Sequence, residues 1–598
     1  MRLTKWIALG AWCLVLAMSS VGCGCGDDDD DSGGGSADDD ADDDSADDDT
    51  GDDDTSDDDT TDDDTGDDDL GPEAGCIVPA DYDGDGDEEL AMATMDWDDD
   101  RFVLFFVEPG TLASTAKLTL EGVAIGEGGT RFSVADFDQD GIWDVLIAAY
   151  DAGTLETTFL VYANGDFETP FYESDPVDAN LYAFAILDER NDGFADFVTY
   201  CEDCGGDKGY LIFHNEGGTI TPGDLIPDEG EGNTAWLPDF VPGRLFPTAS
   251  NVTGDSGAVH FATYREWDDA GTEYAQFYAY NSLTGAPVAS TDPIEALNGN
   301  NWSSGRVGDF DGDGITEFIH ALTWADDAIP SKEASHTVYG YVGGVFVEEF
   351  ASTPAADAYA YSLYDFIDVD LDGVLDPFLN VSESGGDDHW PVLNGPDGYS
   401  ERFTFTLPPG YVSEFAMGHR RGGTAVGFIP AGGLDPSLAV ITEHTDGGAR
   451  TGQLSLLSML DGSETTSLAT IALGEGGRTT AGAADLGGDG IVDVFVLAQE
   501  AVWGGADWVY DYRIYLYNGE NMDEAYDADV TTAFDSPPWM TMEIDFTGDH
   551  APDPAVVGDV GGETRWLIYP CDSTGCEDPL EIDAPSATTL IQFGGPYL

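Results

Sequence analysis

The sequence predicts an all-β fold, a β-propeller of four-stranded antiparallel blades. Three observations predict it: an Asp-rich loop recurring at a period of roughly 58 residues, β-rich runs directly after each loop, and hairpin turns roughly 20 residues further on. Each unit reads as strand, loop, strand, strand, hairpin turn, strand, and four short antiparallel strands make one blade. About nine units are legible, for a ring of about seven to nine blades.

The chain begins with a segment that does not belong to that body. Arg2 and Lys5 supply a positive start, and Trp6 to Met18 form an apolar run too short to span a bilayer but of secretory length. Ser20-Val21-Gly22-Cys23 follows and resembles the lipobox of bacterial lipoproteins. That resemblance implies a signal peptide over residues 1–22, lipidation of Cys23, and export to the outer membrane or cell surface. The membrane would then be touched through the lipid anchor alone. Ordinary cleavage nearby would instead leave Cys23 a plain thiol.

Residues 23–75 read as the lipidated Cys and a disordered Asp-rich tether. They are Gly, Ser, Thr, Ala and mostly Asp triplets, so nothing apolar is available to bury and like charges push the chain apart. Fully extended, the segment reaches on the order of 170 Å. Its expected task is to hold residues 76–598, the propeller, clear of a lipid surface.

The formal net charge is −103, and 26 of the 121 acids fall between Asp27 and Asp69. The remaining acids still outnumber the 18 Lys and Arg severalfold, so the folded body is acidic in its own right. Such a surface repels phosphate backbones, which excludes nucleic acid as a partner and favours divalent cations or basic and neutral ligands.

The repeated loop reads Asp-x-Asp-x-Asp-Gly-x-x-Asp/Glu. Full copies are Asp81, Asp83, Asp85, Asp87 and Glu89; Asp136, Asp138, Asp140, Ile142 and Asp144; Asp309, Asp311, Asp313, Ile315 and Glu317; and Asp368, Asp370, Asp372, Val374 and Asp376. Calcium is a hard ion that takes six to eight oxygens, and carboxylates at alternate positions of a curled loop can face one centre. Glycine at position six permits the sharp turn, position seven offers its carbonyl, and position nine closes the site. Magnesium would want fewer protein ligands in stricter octahedral geometry. The competing reading is a metal-free Asx-type turn.

Partial copies follow the same period. Asp485, Asp489 and Asp493 have Gly487 at position three, and Asp545, Asp549 and Asp553 have Thr547 there; both sets are expected to bind weakly. At Asp188 position three is Arg190, whose guanidinium would take the metal's place. Vestiges stand near Asn251 and Ile429. The loops are not EF-hands, because they run into Val145-Leu-Ile-Ala-Ala, Phe318-Ile-His and Val494-Phe-Val-Leu rather than helices. The turns follow at Asn164-Gly165, Asn215 and Asn518-Gly519.

In loops and period the chain resembles the FG-GAP and VCBS-type repeats of bacterial surface proteins and the N-terminal propeller of integrin alpha subunits. It departs from them in nearly lacking the signature tripeptides, with one Gly285-Ala-Pro and one Phe593-Gly.

Export implies an oxidising compartment, so Cys201 with Cys204, and Cys571 with Cys576, are expected to form local disulfides; Cys25 and Cys76 are left unassigned. No catalytic assignment follows from the sequence. None of the eight His falls in a HExxH pairing, and His389 beside Asp388 reads as surface decoration. His419-Arg420-Arg421 is a rare basic spot, suited to an acidic ligand or to pairing with nearby carboxylates. The expected function is a binding or adhesion module for an extracellular protein or carbohydrate. The alternatives are a polysaccharide lyase or hydrolase on a propeller scaffold and a structural envelope component.

Overall fold

The computed structural model describes the propeller from residue 77 to 594. Residues 1–76, 228–259, 595–598 and a number of shorter segments, among them 188–191, 309–314, 369–375, 427–436 and 488–490, lie outside the described residues. Every regular element among the described residues is a strand.

The first sheet pairs Ser114–Glu121, Arg101–Val107 and Leu90–Asp96 in antiparallel order, and its fourth strand is the C-terminal Thr589–Gly594. Antiparallel sheets of the same plan follow along the chain. The second is Arg131–Ala135, Asp144–Asp151, Glu156–Tyr162 and Tyr172–Glu173; the third runs from Ala179–Leu187 to Ile220–Pro222; the last is built on Trp539–Thr541, Ala555–Val560, Glu563–Ile568 and Leu580–Glu581. The first strands of neighbouring sheets approach one another: Arg131–Ala135 touches both Ala179–Leu187 and the closing strand Thr589–Gly594. That convergence puts them at the centre of the ring.

Burial explains why middle strands such as Arg-Phe-Val-Leu-Phe-Phe-Val lack the alternation of a half-exposed strand. Arg101–Val107 is buried on both faces because a sheet packs against each side, whereas the outer strand Ser114–Glu121 is mostly exposed or half-buried. Alternate residues serve alternate neighbours. Ala91, Leu104 and Phe106 pack with Phe132, Val145 and Ile147 of the second sheet. Leu146 and Phe159 point the other way, onto Phe197, Leu211 and Phe213 of the third. Leu90, Met92 and Phe105 pack with Val557, Trp566 and Ile568 of the last sheet, so the first and last units share a core and the ring is closed.

One region departs from separate blades. The units built on Ala358–Asp368 and Arg478–Ala484 join into one eleven-stranded sheet through the hairpin Gly418–Arg420 and Thr424–Val426. That hairpin pairs in parallel with both central strands. It carries His419 and Arg420 and lies just ahead of the position where the period anticipates a vestigial loop.

Candidate metal centres in the blade loops

The second loop joins Ala135 to Asp144, the first two strands of its sheet; the first enters Leu90–Asp96 through the bridge of Ala80 to Glu89. Three fully described copies share one hydrogen-bond frame. The position-one carboxylate accepts from the backbone N–H of position six: Gly86 to Asp81 at 3.1 Å, Gly141 to Asp136 at 3.0 Å and His550 to Asp545 at 2.9 Å. Position five accepts from position seven: Asp87 to Asp85, Ile142 to Asp140 and Ala551 to Asp549, all at 2.8–3.0 Å. Position nine accepts from position two: Tyr82 to Glu89 at 3.4 Å, Phe137 to Asp144 at 2.7 Å and Phe546 to Asp553 at 2.8 Å. Gly86 and Gly141 have φ of 88° and 86°, the left-handed region where glycine is favoured; His550 takes φ 65° at the same place.

The ninth acid occupies the same kind of place in every copy whose ninth residue is described. Glu89, Asp144, Asp196, Glu317, Asp376, Asp493 and Asp553 are all buried at or beside the start of a strand. Three of them also accept from the hairpin that ends the next strand: Asn164 N–H to Asp144 at 3.3 Å, Asn215 N–H to Asp196 at 2.5 Å and Gly519 N–H to Asp493 at 2.7 Å.

Among the described residues, two loops gather carboxylates as a cation would require. One oxygen each from Asp81, Asp83 and Asp85, and likewise from Asp136, Asp138 and Asp144, lie within 4.8 Å of one another. In the second loop Asp136 Oδ1 and Asp138 Oδ1 are buried with no hydrogen-bond donor, and in the first Asp83 Oδ1 is in the same condition. A buried anionic oxygen without a donor is costly, and a hard cation is the group that oxygen-only clusters fit. The donor set therefore fits calcium: Asp136, Asp138 and Asp144 would hold it in the second loop, and Asp81, Asp83 and Asp85 in the first.

Electrostatics agree with that fit. Burial pushes the Asp144 carboxyl up to about 7, against the Phe137 N–H that favours its charge, and Asp138 adds repulsion. Burial likewise lifts Glu89 to about 7 despite the Tyr82 N–H, with Asp83 and Asp85 raising it further. Asp138 is raised by burial, partly offset by the Asn164 side chain. Burial, then Asp545 and Asp549, take Asp553 to about 8.

The remaining sequence-predicted residues are placed as follows. The copy at Asp545 turns inward on itself: Asp545 accepts backbone N–H groups of Thr547, Gly548, Asp549 and His550, and it forms no such three-carboxylate group with Asp549 and Asp553. Asp485 and Asp493 are buried, while Asp489 lies outside the described residues. So do Asp309, Asp311, Asp313, Asp370, Asp372, Val374, Asp188 and Cys23, and the side chain of Asp368. Ile315, Glu317 and Asp376 are described at the ends of their loops. The structure joins Cys201 to Cys204 and Cys571 to Cys576 by disulfides.

Sequence reasoning missed the residues that reach the loops from outside. Lys117, on the outer strand of the first sheet, places Nζ 2.5 Å from Asp83 Oδ2. Asn164 Nδ2 donates to Asp138 Oδ2 at 2.7 Å. Asn164 was legible as a turn residue, but its side-chain contact was not. Successive loops also touch. Trp143 N–H donates to the Asp81 carbonyl at 2.9 Å, and Gln139 Nε2 to the Asp192 carbonyl at 3.1 Å. Gly165 lies against Asp83, where a Cβ would stand 2.3 Å from the Asp83 carbonyl oxygen. The first three loops thus form a contiguous arc.

No family model matches the sequence. No curated protein matches it either. Among solved structures the chain is similar to the Dos1 propeller, at 10% identity and a TM-score of 0.31, over 82% of this chain and 94% of that one. It is similar to the exotype rhamnogalacturonan lyase YesX at 15% identity and 0.31, over 83% and 74% of the two chains. Dipeptidyl peptidase 4 of Porphyromonas gingivalis follows at 7% identity and 0.35, over 76% and 60%. These are distant likenesses, and neither ligand nor activity passes from them to this chain. The architecture rests on the closed series of antiparallel sheets itself: this chain is an all-β propeller.

Proposed function

We propose that the chain is an exported lipoprotein whose calcium-stiffened propeller, of FG-GAP and VCBS type, binds an extracellular protein or carbohydrate. The observation that carries the metal reading is the pair of buried, donorless oxygens on Asp136 and Asp138, grouped with Asp144. Calcium bound there supplies the positive charge that lets three neighbouring carboxylates stay ionised in a part-buried site. The chain's own residues do the rest. Backbone N–H groups hold each carboxylate in place, and the loop-to-loop contacts join neighbouring sites into one stiff face. The strongly acidic body favours a basic or neutral ligand for that face.

Two experiments test the reading. Purified residues 76–598 are screened against glycans and partner-cell extracts in millimolar calcium and in chelator. Calcium-dependent binding to one ligand class supports it, and no binding in either condition refutes the binding module. For the anchor, Cys23→Ser is expected to abolish incorporation of labelled palmitate and to release the protein from the membrane fraction. Retained labelling would refute lipidation at Cys23.

A further inference from the structure

The first two loops have the same frame but not the same surroundings. In the second, the position-three carboxylate is met by a neutral donor, Asn164 Nδ2, at 2.7 Å from Asp138 Oδ2. In the first, the corresponding oxygen is met by a full positive charge, Lys117 Nζ, at 2.5 Å from Asp83 Oδ2. Lys117 is held there by more than the ion pair. Its amine lies 5.0 Å from the centroid of Phe106, a buried ring braced by Tyr82 and Phe167 at 5.2 Å each. Its side chain is about three-quarters buried, so water screens the charge incompletely.

We propose that Lys117 is a tethered cation of the first loop, which competes with calcium for Asp83 and makes this loop a weak site beside a tight one at Asp136, Asp138 and Asp144. The inference rests on the calcium reading and adds to it a residue that sets affinity site by site. A divalent ion entering the first loop meets the repulsion of an ammonium group within a few ångströms, and it must share the Asp83 carboxylate with Lys117, which holds Oδ2 and leaves Oδ1 to the ion. In the second loop Asn164 contributes no such charge. Of these two loops, the second then fills at low calcium and stiffens its part of the ring, and the first fills only when external calcium is high.

The test uses the full chain and its Lys117→Met variant, which keeps the apolar stem over Phe106 and removes the charge. Calcium titration by calorimetry is expected to show the weakest class of sites tightening on the order of tenfold in the variant, with the tight class unchanged. In thermal melts the variant is expected to be less stable than wild type in chelator, yet to gain more from millimolar calcium. A variant destabilised equally in both conditions, with unchanged isotherms, would reduce Lys117 to a structural ion pair and overturn the proposal alone. Absence of any calcium response in wild type and variant would overturn the calcium reading with it. Lys208→Met, which removes a charge from the third sheet, is expected to leave every calcium class as in wild type; a tenfold shift there would trace the effect to net charge and also sink the proposal.

Discussion

Thr94 and Leu590 are partners in one antiparallel ladder, although one belongs to the first strand of the folded body and the other to its last. That pairing closes the ring, and the first and last sheets complete the closure by burying Met92 and Phe105 with Trp566 and Ile568. Deleting residues 589–598 removes this ladder, at about 0.5–1.5 kcal/mol per lost hydrogen bond. Thermal unfolding is expected to begin several degrees lower, with backbone amides of Leu90–Asp96 losing protection from hydrogen exchange. Unchanged protection there would contradict the closure.

The second loop makes a prediction whose sign depends on metal. Asp138→Asn removes one of three clustered carboxylates and keeps a polar group of the same shape. In chelator the variant is expected to be as stable as wild type or more so, because repulsion with Asp136 and Asp144 is relieved. In calcium at about 100 times its dissociation constant, wild type gains about 2.7 kcal/mol from the site. The variant is expected to lose most of that, so the two melting curves cross in rank between conditions.

Stability in chelator is expected to fall as pH rises. Asp553, Asp144 and Glu89 have folded values of about 8, 7 and 7, above the ordinary carboxylate range. The folded state therefore holds protons that the unfolded state has released. Their contribution is fully present below about pH 4 and is lost as pH climbs through 7 to 8. Melts between pH 5 and 8.5 measure the slope, and Asp553→Asn is expected to flatten it. A slope of opposite sign would show that these carboxyls are ionised in the folded protein.

The seam between the second and third sheets rests on aromatic packing. Phe197 stacks on Phe213 with ring centroids 4.4 Å apart and also meets Phe159 at 5.3 Å. Phe197→Ala is expected to cost about 3–5 kcal/mol by chemical denaturation. Leu460→Ala, at a half-exposed turn, is expected to stay within about 0.5 kcal/mol.

Much of this was readable before any coordinates. The β-rich runs after each loop, the Asn-Gly turn at 164–165 and the period of the Asp loops define strands and their order, because strand propensity, turn chemistry and loop spacing are local properties. Gly86 and Gly141 were legible for the same reason: the turn needs a left-handed backbone at that step. From the sequence the ninth acid reads as a metal ligand. That it also staples the loop, through Phe137 N–H in one copy and Phe546 N–H in another, needed the folded frame.

The sequence by itself determined the blade, since each blade is a local run of strands and turns whose pattern is written in consecutive residues. Only the tertiary structure decided how blades meet. Ring closure joins residues from opposite ends of the chain, the hairpin at 418–426 bridges two units, and Lys117 reaches Asp83 from an outer strand. Those contacts lie between residues far apart in sequence, where no periodicity records them; sheets such as the first, which buries one face on the second sheet and the other on the last, force the units around a common axis.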